Sequence, residues 1–110
     1  MPIFITYASY SQKGVKGMVG KPSDRTDAVK ALLKKVGAKL LAFYITTGDN
    51  DVVVISEAPD ETDAVAVGMA VAASGAVSNI ETVRAWKAKD FVAVQKKAAK
   101  LVGAYTPPGN

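Results

Sequence analysis

Five residues stand out as able to hold a ligand: Tyr7, Tyr44, Glu81, Arg84 and Trp86. Arg84 and Trp86 lie two apart in a stretch that reads as a strand, so with Thr82 they share one face. A guanidinium beside an indole can clamp a carboxylate or phosphate and stack on the ring. The competing and preferred reading of Arg84 is an ion pair with a carboxylate elsewhere, within the chain or across a subunit interface. Glu81 has the opposite parity and faces away from Arg84. Buried, its carboxyl would titrate high and could act as a general base. On an edge strand it would only discourage edge-to-edge pairing, and that reading is preferred. Tyr7, Tyr10 and Tyr44 are expected to gather near one end of a sheet with Trp86. There they would pack in the core, as strand aromatics usually do, or line a pocket for a planar ligand.

Other constellations are thinner. Arg25 is the second of only two arginines. Gly48-Asp49-Asn50-Asp51 offers oxygen atoms, but two carboxylates fall well short of the roughly six to eight oxygen ligands of a calcium site. These residue types are those of a hairpin turn. No catalytic residue, metal or cofactor is assigned from this reading.

The missing residue types narrow the chemistry. The 110 residues include no cysteine and no histidine. That removes disulfides, thiolate nucleophiles, zinc–thiolate sites and iron–sulfur clusters. It also removes the usual neutral-pH base and the serine triad built on it. The net charge is +4, and the 14 basic residues are twelve lysines and two arginines. The lysines spread over helical faces, as a solvated surface does. Nucleic acid is not the expected partner, because its readers lean on arginine. No apolar run approaches the roughly 18–20 residues that span a bilayer, and Met1–Ile5 does not read as a signal peptide. A cytoplasmic protein without a membrane partner is the expectation.

The elements that must position these residues follow from periodicity. Ile3–Tyr10 reads as a strand. Ser11 can cap a short turn, and Gly14–Gly20, with three glycines, reads as loosely helical or irregular. Ser23 is the expected cap of a helix whose Ala28, Val29, Leu32, Leu33 and Val36 recur at helical spacing, with Gly37 as its left-handed stop. Strands are expected at about 39–47 and 51–57, joined through Gly48-Asp49-Asn50. Asp60 should cap a small-residue helix reaching about Ser74 and ended by Gly75. A fourth strand covers 77–86. A last helix, about 89–102, carries Phe91, Val94, Ala98 and Leu101 on one stripe.

Strand, helix, strand, strand, helix, strand and one extra helix is the ferredoxin-like arrangement. Right-handed crossovers place the first and third strands centrally in a four-stranded antiparallel sheet. Residues 1–104 form one α+β domain and 105–110 a flexible tail. Simple alternation puts Leu41, Phe43 and Ile45 on one face of the second strand and Leu40, Ala42 and Tyr44 on the other. Both faces are then apolar, while both main helices cover only one. Either the last helix or a second subunit must cover the other, and a subunit is preferred.

Two separated segments resemble the GYD-domain family. One is Lys39-Leu40-Leu41-Ala42-Phe43-Tyr44-Ile45-Thr46-Thr47-Gly48-Asp49-Asn50-Asp51, continuing through Val52–Ile55 to Glu57-Ala58-Pro59. The other is Ile80-Glu81-Thr82-Val83-Arg84-Ala85-Trp86. Phe4, Tyr10 and Gly14 add a weaker match, and the resemblance covers about residues 2–92. The chain departs from the family pattern in three places. Asn50 stands where the family's naming tyrosine sits, Trp86 replaces a phenylalanine, and Lys87 replaces a frequent capping threonine. The resemblance implies a ferredoxin-like fold of the dimeric α+β barrel type and an oligomer, and no particular reaction. The expected function is a non-catalytic small-molecule-binding or accessory module, a homo-oligomer with a small, anionic or planar ligand. The alternative is a cofactor-independent enzyme of the same barrel type, a small monooxygenase or isomerase.

Overall fold

A computed structural model describes residues 1–109; Asn110, the end of the expected tail, lies outside the described residues. Strand β1 (Ile3–Tyr10) is central. It pairs antiparallel with β3 (Val52–Glu57) on one side and with β4 (Val77–Ala85) on the other. β2 (Lys39–Ile45) adds to β3, giving the order β2-β3-β1-β4. This is the expected ferredoxin-like sheet. Its apolar, β-branched third strand is inside, and β2 and β4 are the edges.

Helices α2 (Thr26–Lys34) and α3 (Glu61–Ala73) lie on one face, α2 against β2 and α3 against β4. Phe4, Ala58 and Ala64 form the centre of the core, with Ala38 packed beside them. Leu33, Ala8 and Val52 are the remaining buried apolar residues. Small residues let α3 approach closely: Ala64 and Gly68 are its buried positions, and Gly68 faces Ile80 and Thr82.

Register shows which side chains share a face. Phe4, Thr6 and Ala8 of β1 oppose Ser56, Val54 and Val52 of β3, under the helices. Ile3, Ile5 and Tyr7 oppose Glu57, Ile55 and Val53 on the open face. The second strand breaks simple alternation. A register shift between Leu40 and Ala42 makes Leu41 the extra residue of a bulge. Leu40 therefore joins Phe43 and Ile45 on the helix side, and only Ala42 and Tyr44 continue the open face. A second shift lies between Tyr7 and Ser9, and Asn79, opposite it in β4, has a positive φ of 48°.

At three helix starts the structure refines or corrects the local expectation. Of the two readings of Gly14–Gly20 the helical one holds, in a more regular form: α1 is a nine-residue helix, Gln12–Gly20, with Ser11 as its N-cap. Tertiary contact outweighs glycine's poor propensity there. Gly14 is buried, and Ser11 N–H donates to Ala76 O at 3.0 Å. Ser23 does not cap α2. The N-cap position is Arg25, which makes no side-chain cap bond; the Asp24 carboxylate before it accepts from Thr26 N at 2.9 Å and Thr26 Oγ1 at 2.6 Å. The last helix, α4 (Ala88–Leu101), starts at Lys87 with no side-chain cap. A lysine side chain has no acceptor to offer the free N–H groups.

Asp60 caps α3 as expected, accepting from Thr62 and Asp63 backbone N–H groups. The side-chain hydroxyls and N–H groups of the following turn hold both Asp60 and Asp24 below the ordinary carboxylate range. A depressed carboxyl stabilises the fold above its unfolded value and loses that contribution as pH falls through the folded value. Thermal melts should therefore be flat from neutral pH to about 5 and fall below about 4. Asp24→Asn with Asp60→Asn should flatten the acid limb and lower the plateau. An unchanged acid limb would assign acid unfolding to other groups.

Candidate functional site

The fold separates the five residues that the sequence singles out. Tyr44, Val53, Tyr7 and Glu81 are register partners in one row across the open face. Tyr44 and Glu81 are exposed and Tyr7 is half-buried. β4 is an edge strand, so Glu81 occupies the edge position expected of it. Arg84 opposes Phe4 and belongs to the helix side. Its guanidinium stacks 4.4 Å from the Trp86 ring and 5.8 Å from Phe4. It donates to Ile3 O at 3.3 Å and to the Ala85 carbonyl. Within one chain, carbonyls and rings engage Arg84.

Tyr10 and Trp86 do not gather. Tyr10 pairs with Val77 at one end of the sheet, while Trp86 follows Ala85, the partner of Ile3, at the other.

The concave surface lies instead at the Tyr10 end, under the helices. Three adjoining hollows of about 350, 300 and 310 Å³ share Tyr10 and Arg25. Met18 and Ser23 line two of them, and Phe43 with Ala76 the continuation toward the core. Each is within the range of roughly 300–1,000 Å³ typical of small-molecule sites.

Local structure explains the cleft. Helix α1 is tied to the turn before β4 through Ser11 and Ala76. Lys13 Nζ adds a bond to Ser74 O at 3.2 Å. The chain then runs through Lys21–Arg25 to α2, and this return segment forms the rim. Lys13, Lys21 and Arg25 make the rim cationic. The floor is apolar: Val29, Leu32, Phe43 and Val71.

Asp51 anchors the inner wall, its Oδ2 accepting from Tyr10 N at 2.8 Å. The hairpin Gly48-Asp49-Asn50 is the expected turn, with Thr46 Oγ1 donating to Asn50 O at 2.6 Å. The Tyr10 phenol titrates above its ordinary value, mainly because it is buried and further because Asp51 is near; Arg25 opposes the shift. At neutral pH the phenol is therefore a proton donor and not a base. The cleft offers a phenol donor, a guanidinium, two ammonium groups and an apolar floor, with the Asp24 carboxylate as the one acidic group lining it. That set suits a small anion with an apolar or planar body.

Sequence reading notes Tyr10 and Arg25 without joining them, and it misses Lys13, Met18, Lys21 and Ser23 as site residues. A signal was present. Lys13, Gly17 and Lys21 recur every four residues, which on a helix is one face. Reading the three glycines as irregular structure hides that face.

Residues 4–94 match the family described as GYD domain. No curated protein matches the chain. Among solved structures the chain is similar to TTHA0845 from Thermus thermophilus, with 18% identity and a TM-score of 0.51. The match covers 80% of this chain and 96% of that one. At this identity the likeness speaks for the fold alone.

Proposed function

The chain belongs to the GYD domain family, and on that premise we propose that it is a small-molecule-binding module whose anionic ligand sits in the Tyr10–Arg25 cleft. The observation that carries this reading is the meeting of three ligand-sized hollows on one tyrosine and one arginine, with a cationic rim above an apolar floor. The five residues singled out by type lie elsewhere, split between the two faces of the sheet. A binding role fits the cleft better than acid–base catalysis, because Tyr10 is held protonated and no histidine is present.

The test is a titration with benzoate, salicylate and inorganic phosphate, followed residue by residue through backbone amide NMR shifts. Aromatic carboxylates should move Tyr10, Met18 and Arg25 and leave Tyr44 still. Arg25→Ala should weaken binding by about tenfold or more, the worth of one charge-assisted hydrogen bond. Arg25 is exposed and its side chain makes no cap bond, so the fold should persist. Shifts confined to Tyr7, Tyr44 and Glu81 would move the site to the open face. No shifts with any of the three anions would sink the reading.

A further inference from the structure

Helix α4 has an apolar stripe and nothing of its own chain to lay it on. None of its residues is buried. Phe91, Val94 and Leu101 are 37%, 39% and 65% exposed. Its aromatic contact is at the first turn, where Phe91 meets Trp86 edge-on at 5.6 Å. The chain's radius of gyration is 17.8 Å, with extents of 60 × 34 × 22 Å. A compact domain of this length would have a radius near roughly 13 Å. The helix therefore projects as an arm.

The sheet has the complementary defect. Its open face presents Ile5, Tyr7, Ala42, Tyr44, Val53 and Val83 with no helix over them. Apolar faces of this kind are rarely left to water. The arm does not reach its own face. Only Trp86 and Lys87 connect β4 to α4, and Trp86 is held on the helix side by Arg84 and Phe91.

We propose that two copies of this chain exchange their α4 arms, the stripe of each lying on the open sheet face of the other. Three features select a second copy over an unrelated partner. Arm and face occur on every chain, so two copies satisfy each other by one twofold operation. The charges complement: the arm carries Lys89, Lys96, Lys97 and Lys100 against Asp90 alone, while the face carries Glu57 and Glu81 against Lys39 alone. The size suffices. A 14-residue helix is about 21 Å long and about 10 Å across. Two such contacts remove on the order of 1,000 Å² from water, which is what a specific interface requires. This inference stands apart from the ligand cleft, which lies on the other side of the sheet.

The test uses light scattering on the full chain and two variants at exposed positions. The 11.5 kDa chain should run at twice its mass. Val94→Asp with Leu101→Asp on the arm should weaken the dimer by at least about a hundredfold, and Val83→Lys on the face should do the same. Both variants should keep the circular dichroism of the domain. Mixing the two variants is the decisive step. The Val83→Lys chain still has a sound arm, and the arm variant still has a sound face, so one of the two contacts returns and a heterodimer should reappear. A monomeric unmodified chain would overturn the proposal. So would a dimer indifferent to the arm variant, which would put sheet against sheet. Variants that fall apart and do not rescue each other would mean that arms pair with arms and faces with faces, and would overturn it as well.

Discussion

Phe4→Ala should cost about 3–5 kcal/mol, the range for emptying a buried phenylalanine site. Phe4 is 3% exposed and packs against Ala58 and Ala64. Those neighbours are alanines, with no long side chains to swing into the gap. The Arg84 guanidinium also sits 5.8 Å from the ring and would lose one of its two aromatic partners. A domain of this size has roughly 5–15 kcal/mol in total, so the loss is a large share of it. The melting temperature should fall by about 15–25 °C. Phe4→Leu keeps most of the volume and should cost less than half as much. If Phe4→Ala melted within a few degrees of the unmodified chain, the Phe4 cluster would not be the core.

Gly14→Ala is the second large effect, and its sign is opposite to what helix propensity predicts. Alanine in a helix interior is favoured over glycine by about 1 kcal/mol. Yet a β-carbon at Gly14 would lie 2.1 Å from Ala76 O and 3.1 Å from Ala76 C. Those are backbone atoms and cannot rotate aside, so α1 must move off the turn that precedes β4. Overpacking of this kind costs about 1–3 kcal/mol. The same shift would open the cleft that α1 walls, so the amide shifts induced by benzoate should vanish along with the lost stability. Gly17, three residues on, has nothing within 4 Å of its would-be β-carbon. Gly17→Ala should therefore raise stability by up to about 1 kcal/mol. Paired melts of the two variants check the close approach. Equal shifts would show that α1 does not rest on Ala76.

The two glycines also show where sequence reading succeeds and where it stops. Asp60, Gly37 and Gly75 were legible because capping and left-handed stops depend on a few adjacent residues; both glycines have a positive φ, 72° and 80°. The order of strands was legible because few connections of strand and helix are allowed. Helix α1 was not legible. Its stability rests on Ser11 and Gly14 meeting the turn at Gly75 and Ala76, far along the chain. The faces of β2 were half legible: alternation is local, but the bulge at Leu41 is fixed by pairing with β3.

The candidate site divides in the same way. The chemical limits on it, no thiol and no imidazole, come from composition and need no fold. The split of Arg84 from Glu81 follows from strand parity alone. The meeting of Tyr10, Arg25 and Asp51 does not, because Tyr10 and Arg25 lie on different elements and Asp51 sits in a distant hairpin. Sequence by itself determined the four strands, the helices other than α1 and their order, and which chemistries have no residues to perform them. Tertiary structure alone decided which side chains share a cleft and which apolar surfaces stay uncovered. The reason is physical. Secondary structure answers to contacts a few residues apart, while a cleft and an open face are set by long-range packing that no local pattern encodes.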